Sequence, residues 1–426
     1  MLASLIAAFK LPDLRKRILF LFGMFAVFVV GLHIPVPGID REAMNKLFEG
    51  GGLLGMVDIF SGGALRKFTI FAMGISPYIT ASIIMQLLTV AVPALEALAK
   101  EGEHGRKKIS SYTRYMTVIL AAGQAFGMCK LLAGQNVLKV DVFMFIQIII
   151  TLTAGTAFLM WVGEQITDKG IGNGVSMVIF AGIVASMPFQ LGNTVELVSV
   201  GAIKIHQVLA MTILFIGTVV GIVAIQQAQR KIPIQHVKRV VGNKVYGGSS
   251  SFLPLRVNSA GVIPIIFAMS IQFLPMTFAQ FVGRGTAWGQ KISDIANWFS
   301  PGANIGASLL YIGLIIVFTY FYTAVTFNVP EVAENLKKYG SFIPGIRPGK
   351  PTLEYLDRVM SRITLAGAVF LAMIALMQYW APMMTGVTTF SLVGGTSLLI
   401  IVGVALETMQ AMEAHLLMRH YEGFIK

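Results

Sequence analysis

Charge is what this chain most conspicuously lacks. Only 12% of its 426 residues are Asp, Glu, Lys or Arg, where a soluble domain carries about a quarter. With 55% of residues hydrophobic, the deficit excludes an ordinary water-soluble globule and places the chain in the membrane class. Cysteine is almost missing too. Cys129 stands alone in an apolar run, so no disulfide framework can form, and the thiol reads as a small buried hydrophobe. The histidines (His33, His104, His206, His236, His415, His420) are scattered over predicted membrane edges and loops. HExxH, a cysteine cluster, Gly-x-Ser-x-Gly and GxxxxGK[ST] are all absent, which leaves zinc catalysis, serine hydrolysis and P-loop hydrolysis without support. The chain therefore reads as no enzyme, with no cofactor and no metal site. Gly170-Ile171-Gly172-Asn173-Gly174 superficially resembles a phosphate-binding turn, but it follows a membrane helix rather than a strand.

Ionisable residues are scarce inside the apolar runs as well. Such groups are costly at the bilayer centre and mark ion or proton pathways. Glu407 and Glu413 lie near the cytoplasmic end of the last run, where their carboxylates reach the interface. A coupled small-solute transporter, the alternative function, needs broken helices around midplane polar groups. The midplane here is rich in isoleucine instead, and an apolar pore resists ions by dewetting.

Long apolar runs are what the chain has. A spanning helix takes roughly 20 residues, within a range of about 17–25. That rule predicts helices near 18–34, 76–92, 112–132, 142–162, 174–189, 207–227, 257–281, 306–327, 361–382 and 394–418, the fifth being short. The first is expected to be retained, because Ile34-Pro35-Val36-Pro37 follows it in place of a small-residue cleavage site. An even number of spans puts both termini on one side. That side, with loops 93–114, 163–173, 228–256 and 328–362, holds 24 of the 33 Lys and Arg residues, so it is predicted cytoplasmic.

The expected fold class is an all-α polytopic membrane protein whose ten helices form two halves, 1–189 and 190–426. Halves of odd helix number run antiparallel, as an inverted repeat does. Loop 228–256 carries Arg230, Lys231, Lys238, Arg239, Lys244 and Arg256 and no acidic residue; loop 328–362 contains Pro344-Gly345-Ile346-Arg347-Pro348-Gly349. Basic loops can simply fix topology. These are longer than topology needs, which suits docking to an acidic protein or to RNA. Between the first two spans, glycine clusters bound a short apolar stretch, 53–63, that is either an external loop helix or a segment able to fold back and move.

Several segments resemble one family. Trp161-Val162-Gly163-Glu164-Gln165-Ile166-Thr167-Asp168-Lys169-Gly170-Ile171-Gly172-Asn173-Gly174 is similar to the loop after the fourth span of SecY channels. Gly74-Ile75-Ser76-Pro77-Tyr78-Ile79-Thr80-Ala81-Ser82, Leu253-Pro254-Leu255-Arg256-Val257-Asn258, Ala260-Gly261-Val262-Ile263-Pro264, Phe342-Ile343-Pro344-Gly345-Ile346-Arg347-Pro348-Gly349 and Gly394-Gly395-Thr396-Ser397-Leu398 match in the family's order. The resemblance implies a channel for unfolded polypeptides in the bacterial plasma membrane, partnered by SecE, SecG, the motor SecA, the ribosome and signal-bearing polypeptides. It implies a pore constriction of Ile79, Ile83, Ile179, Ile183, Ile266 and Ile400, the four-residue pairs sharing one helix face. The plug is expected at Leu53, Leu54, Gly55, Met56, Val57, Asp58, Ile59 and Phe60, within 53–63. A lateral gate is expected between spans two and three and spans seven and eight, with Gln86, Gln124, Ser270 and Gln272 as its polar residues. Arg347, Lys238, Arg239, Lys244, Arg256 and Lys350 are the expected docking residues. Asn243-Lys244 departs from the family, in which two adjacent basic residues are common at that place.

Overall fold

Lipid offers no hydrogen bonds, so an apolar run satisfies its own backbone by winding into a helix. A computed structural model describes residues 11–40, 43–44, 61–135, 137–138, 141–236, 239–241, 244–246, 250–282, 291–292, 294–295, 298–299, 304–387 and 395–422. Its helices are α1 Pro12–Gly31, α2 Ala64–Lys67, α3 Ser76–Ala91, α4 Pro93–Lys100, α5 Glu103–Gly134, α6 Val142–Lys169, α7 Gly174–Ser199, α8 Ile205–Gln227, α9 Ile263–Val282, α10 Ile305–Thr326, α11 Val329–Lys338, α12 Lys350–Thr385 and α13 Thr396–Glu422. Among the described residues, ten of these have 16 residues or more, one at each expected position. Seven are long and apolar enough to cross a membrane, or eight if α3 and α4 count as one bent span. The bend between those two is 98°, and it falls where Val92, extended ahead of Pro93, breaks the helix.

The boundaries differ from expectation in an instructive way. The fifth helix does not stop at 189; it continues through Pro188 to Ser199, so this span is not short. One proline removes one backbone bond, and the packed neighbours hold the rest of the helix. Helices α5 and α12 begin at Glu103 and Lys350, inside stretches expected as loops. Loop 228–256 is not irregular either. Strands β1 Gln229–His236 and β4 Ser250–Arg256 pair antiparallel, with Ile232 opposite Leu253. Within them, β2 Arg239–Val241 pairs with β3 Lys244–Tyr246. Strand β5, Ser341–Phe342, arrives from the other long loop and pairs with the end of β1, giving the sheet order β4-β1-β5.

Two apolar clusters make most of the core. The first joins α1, α6 and α7 and takes in Ile400 and Val404 of α13; the second joins α8, α9, α10 and α12 and takes in Ile83 of α3 and Leu398 and Leu399 of α13. Close helix approach is paid for with glycine. A Cβ at Gly174 would lie 1.8 Å from the Gly163 carbonyl oxygen, so α6 and α7 meet backbone to backbone. A separate cluster lies under the sheet, where Ile232, Leu255 and Ile343 pack on Ala333 of α11 and on Leu356 and Met360 of α12.

Candidate functional site

The isoleucines expected at a constriction fall on four helices, α3, α7, α9 and α13, and five of the six belong to or border the two apolar clusters. Ile179 and Ile183 of α7 and Ile400 of α13 are buried in the first cluster, Ile83 in the second. Ile79, half-buried, packs against both. Ile266 is half-buried and belongs to neither; its neighbour Ile265 is fully buried in the second. Val262, four residues before Ile266 and therefore on its face, borders both clusters. Val404 repeats that relation to Ile400 and is buried in the first cluster. Both were missed in the sequence, although the four-residue spacing was available to find them.

Residues 53–60, the proposed plug, lie outside the described residues. Its end does not. Ser61 is buried, and its hydroxyl oxygen accepts from the Leu65 backbone N–H at 3.2 Å. Gly62 has φ +72°, and a Cβ there would meet the Gly182 Cα at 3.0 Å, next to Ile183. Only glycine combines that backbone conformation with that approach. Just beyond, the Arg66 guanidinium lies 4.9 Å from the Phe189 ring centroid on α7. The end of the segment, at Gly62, thus packs closely against Gly182 of α7.

The two walls of the expected gate touch: α9 packs against α5, and Ile83 of α3 shares a cluster with Phe267 of α9. Of the four polar residues placed there, Gln86 is exposed and Gln124 and Ser270 are half-buried. Gln272 is buried, and its Nε2 donates to the Ala307 carbonyl at 3.2 Å, which ties α9 to α10 within one wall.

The remaining candidate residues lie at and beside the three-stranded sheet β4-β1-β5. Arg347 is exposed on a tip whose backbone is pinned: the Thr352 hydroxyl donates to the Arg347 carbonyl at 2.8 Å, and Ile346 N–H donates to Ile343 O at 3.0 Å. Gly345 and Gly349 flank it at φ +82° and +106°. Lys350 is exposed at the start of α12. Arg256 is exposed but engaged with α13, its Nη2 donating to Gln410 Oε1 at 3.0 Å. Arg239 and Lys244 begin the two short strands β2 and β3, and Lys238 lies outside the described residues. The Gly170–Gly174 turn caps α7, with Asn173 Oδ1 accepting from the Val175 and Ser176 backbone N–H groups, so no phosphate cradle is left open there. Among the described residues, no group of three or more His, Cys, Asp or Glu side chains could hold a metal ion.

Comparison with known proteins gives a consistent answer. A family model described as SecY matches residues 69–409. The protein translocase subunit SecY of Streptomyces scabiei is 46% identical over 446 residues, covering all of both chains. A solved protein conducting channel, 17% identical, superposes with a TM-score of 0.65 over 94% of this chain and 92% of its own. The Sec61 chain of a canine ribosome-channel complex from the endoplasmic reticulum gives 0.62 at 16% identity, over 94% of this chain and 92% of that one.

Proposed function

The chain belongs to the SecY family, and on that premise we propose how its residues share the work of passing polypeptides through a membrane. It is a multi-pass membrane protein and a protein-conducting channel subunit, not an enzyme, and the small-solute transporter is not favoured. The constriction is the isoleucine set Ile79, Ile83, Ile179, Ile183, Ile266 and Ile400, extended by Val262 and Val404. One observation carries this: Ile79 and Val262 border both apolar clusters, so the set occupies the junction where the two halves meet. Apolar side chains at a narrow point exclude water and ions while the channel idles. An arriving polypeptide displaces side chains there without breaking a hydrogen bond. Segment 53–63 is the plug, hinged at Ser61-Gly62-Gly63 against Gly182. The seam between α5 and α9 is the lateral gate, opening to release apolar segments into lipid. The division expected at 189/190 falls inside α7, which runs to Ser199, so the two halves are placed to either side of the turn at 200–204, as an inverted pair.

The cytoplasmic sheet and the Arg347 tip form the docking face for the motor SecA and for the ribosome, whose complex with a related channel supports this reading. SecE and SecG complete the assembly in the bacterial plasma membrane, with both termini cytoplasmic. The test is Ile83→Asn and Ile400→Asn in reconstituted channels. An amide holds water where isoleucine expels it, so each variant leaks ions at rest and the pair leaks more. Unchanged conductance in a well-folded double variant would remove these isoleucines from the pore.

A further inference from the structure

We infer that His236 is a positioning residue that clasps the two cytoplasmic loops into one docking body. It holds the strand from which the Arg347 tip springs. The inference rests on the reading of that tip as a docking element and adds what presents it.

His236 ends β1, the central strand, and directly faces Ser341 of β5 across the antiparallel pair. Its Nδ1 lies 2.8 Å from the Ser341 Oγ, and its Nε2 lies 3.3 Å from the Ser251 Oγ of β4. One imidazole therefore bridges both edge strands. The two serines come from different loops, Ser251 from 228–256 and Ser341 from 328–362. A neutral imidazole donates from one nitrogen and accepts at the other, and a hydroxyl can do either, so both bridges form in either tautomer.

Its position explains why a side-chain clasp matters. Among the described residues, β5 has two, with Gln235 opposite Phe342 and His236 opposite Ser341, so the described backbone ladder joining the loops is short. Side chains alternate along a strand, which puts His236 on the face of Ile232 and Ile234, over the small core beneath the sheet. Ile343, buried two residues after Ser341, then fixes the course of the chain into the tip at Arg347.

The experiment uses the assembled channel and three variants. His236→Ala should speed amide exchange at 341–342 and 250–251 about fivefold, the factor a typical hydrogen bond corresponds to. Translocation at limiting motor concentration should fall measurably but by no more than that factor, because only the ordered fraction presents the tip correctly. His236→Cys with Ser341→Cys provides the rescue. When reduced it should behave like His236→Ala; when oxidised it should regain translocation, since a disulfide restores the strand contact but not the imidazole. Cys129 is buried in α5, out of the oxidant's reach. Unchanged exchange in His236→Ala overturns the clasp. Fast exchange with full translocation reduces it to local structure. Complete crosslinking without recovery means the imidazole touches a partner directly, which also overturns it. Arg347→Glu is measured alongside: full activity there defeats the docking reading itself, while the exchange arm still decides whether the clasp exists.

Discussion

Arg347 projects from a tip whose backbone is fixed by Thr352 and by two flanking glycines at positive φ. A guanidinium so mounted loses little freedom on binding and can grip carboxylate or phosphate with two parallel bonds. Arg347→Glu is expected to insert and assemble normally yet lose most motor-driven translocation, with motor affinity down by roughly tenfold or more. Arg347→Lys keeps the charge without the planar fork and should be partly active. A titration of motor against translocation rate separates the two, and an equal loss in Lys350→Glu would shift the role to the loop's overall charge. Gly174 gives a second prediction, of stability. Its missing Cβ is what lets the Gly163 carbonyl approach, so Gly174→Ala should cost about 1–3 kcal/mol and lower the melting temperature in detergent. An unshifted melting curve would show that α6 and α7 can part at little cost. Legibility at this scale was uneven. That Ile83, Ile179, Ile183 and Ile400 face the packed interior was legible from helix spacing and resemblance, because a helix face repeats every three to four residues. Arg256 could not be judged: nothing in its loop tells that it turns back to Gln410.

Elements followed their own rule. The ten long helices stood where the apolar runs stood, because lipid leaves the backbone no other solution. Several helix ends ran past the apolar limits, since a helix continues into water when it finds packing there. The strands escaped notice for a different reason. Ile232-Pro233-Ile234 and Leu253-Pro254-Leu255 do alternate with period two, but each carries a proline and lies within a basic stretch. The plug segment makes a prediction at this level. With Ser61-Gly62-Gly63 anchored beside Ile183, a cysteine at Asp58 should crosslink to a cysteine at Ile183 in the idle channel and lose that crosslink during translocation. Equal yields in both states would make 53–63 a static external helix.

At the level of the whole molecule, charge sets the orientation. Loops 228–256 and 328–362 belong to the side holding 24 of 33 basic residues, so cysteines placed in them should react with an impermeant thiol reagent only from the cytoplasm. Labelling of either loop from outside intact cells would overturn the ten-span topology. Connectivity between the halves was not legible, because it depends on which helices lend side chains to the opposite core. Helix α13 serves both cores, with Ile400 and Val404 in one and Leu398 and Leu399 in the other.

The three-stranded sheet also has a history. Its central strand, Gln229–His236, waits on an edge strand, Ser341–Phe342, that is made more than a hundred residues later. Domains mature in the order they are synthesised, and a pairing this distant cannot form until its second member has emerged. A nascent copy with six helices already in the membrane therefore carries half a docking face. On the docking reading proposed above, such a copy cannot compete with finished channels until its eighth span is behind it, and the separation that slows the sheet's assembly also keeps unfinished channels out of service.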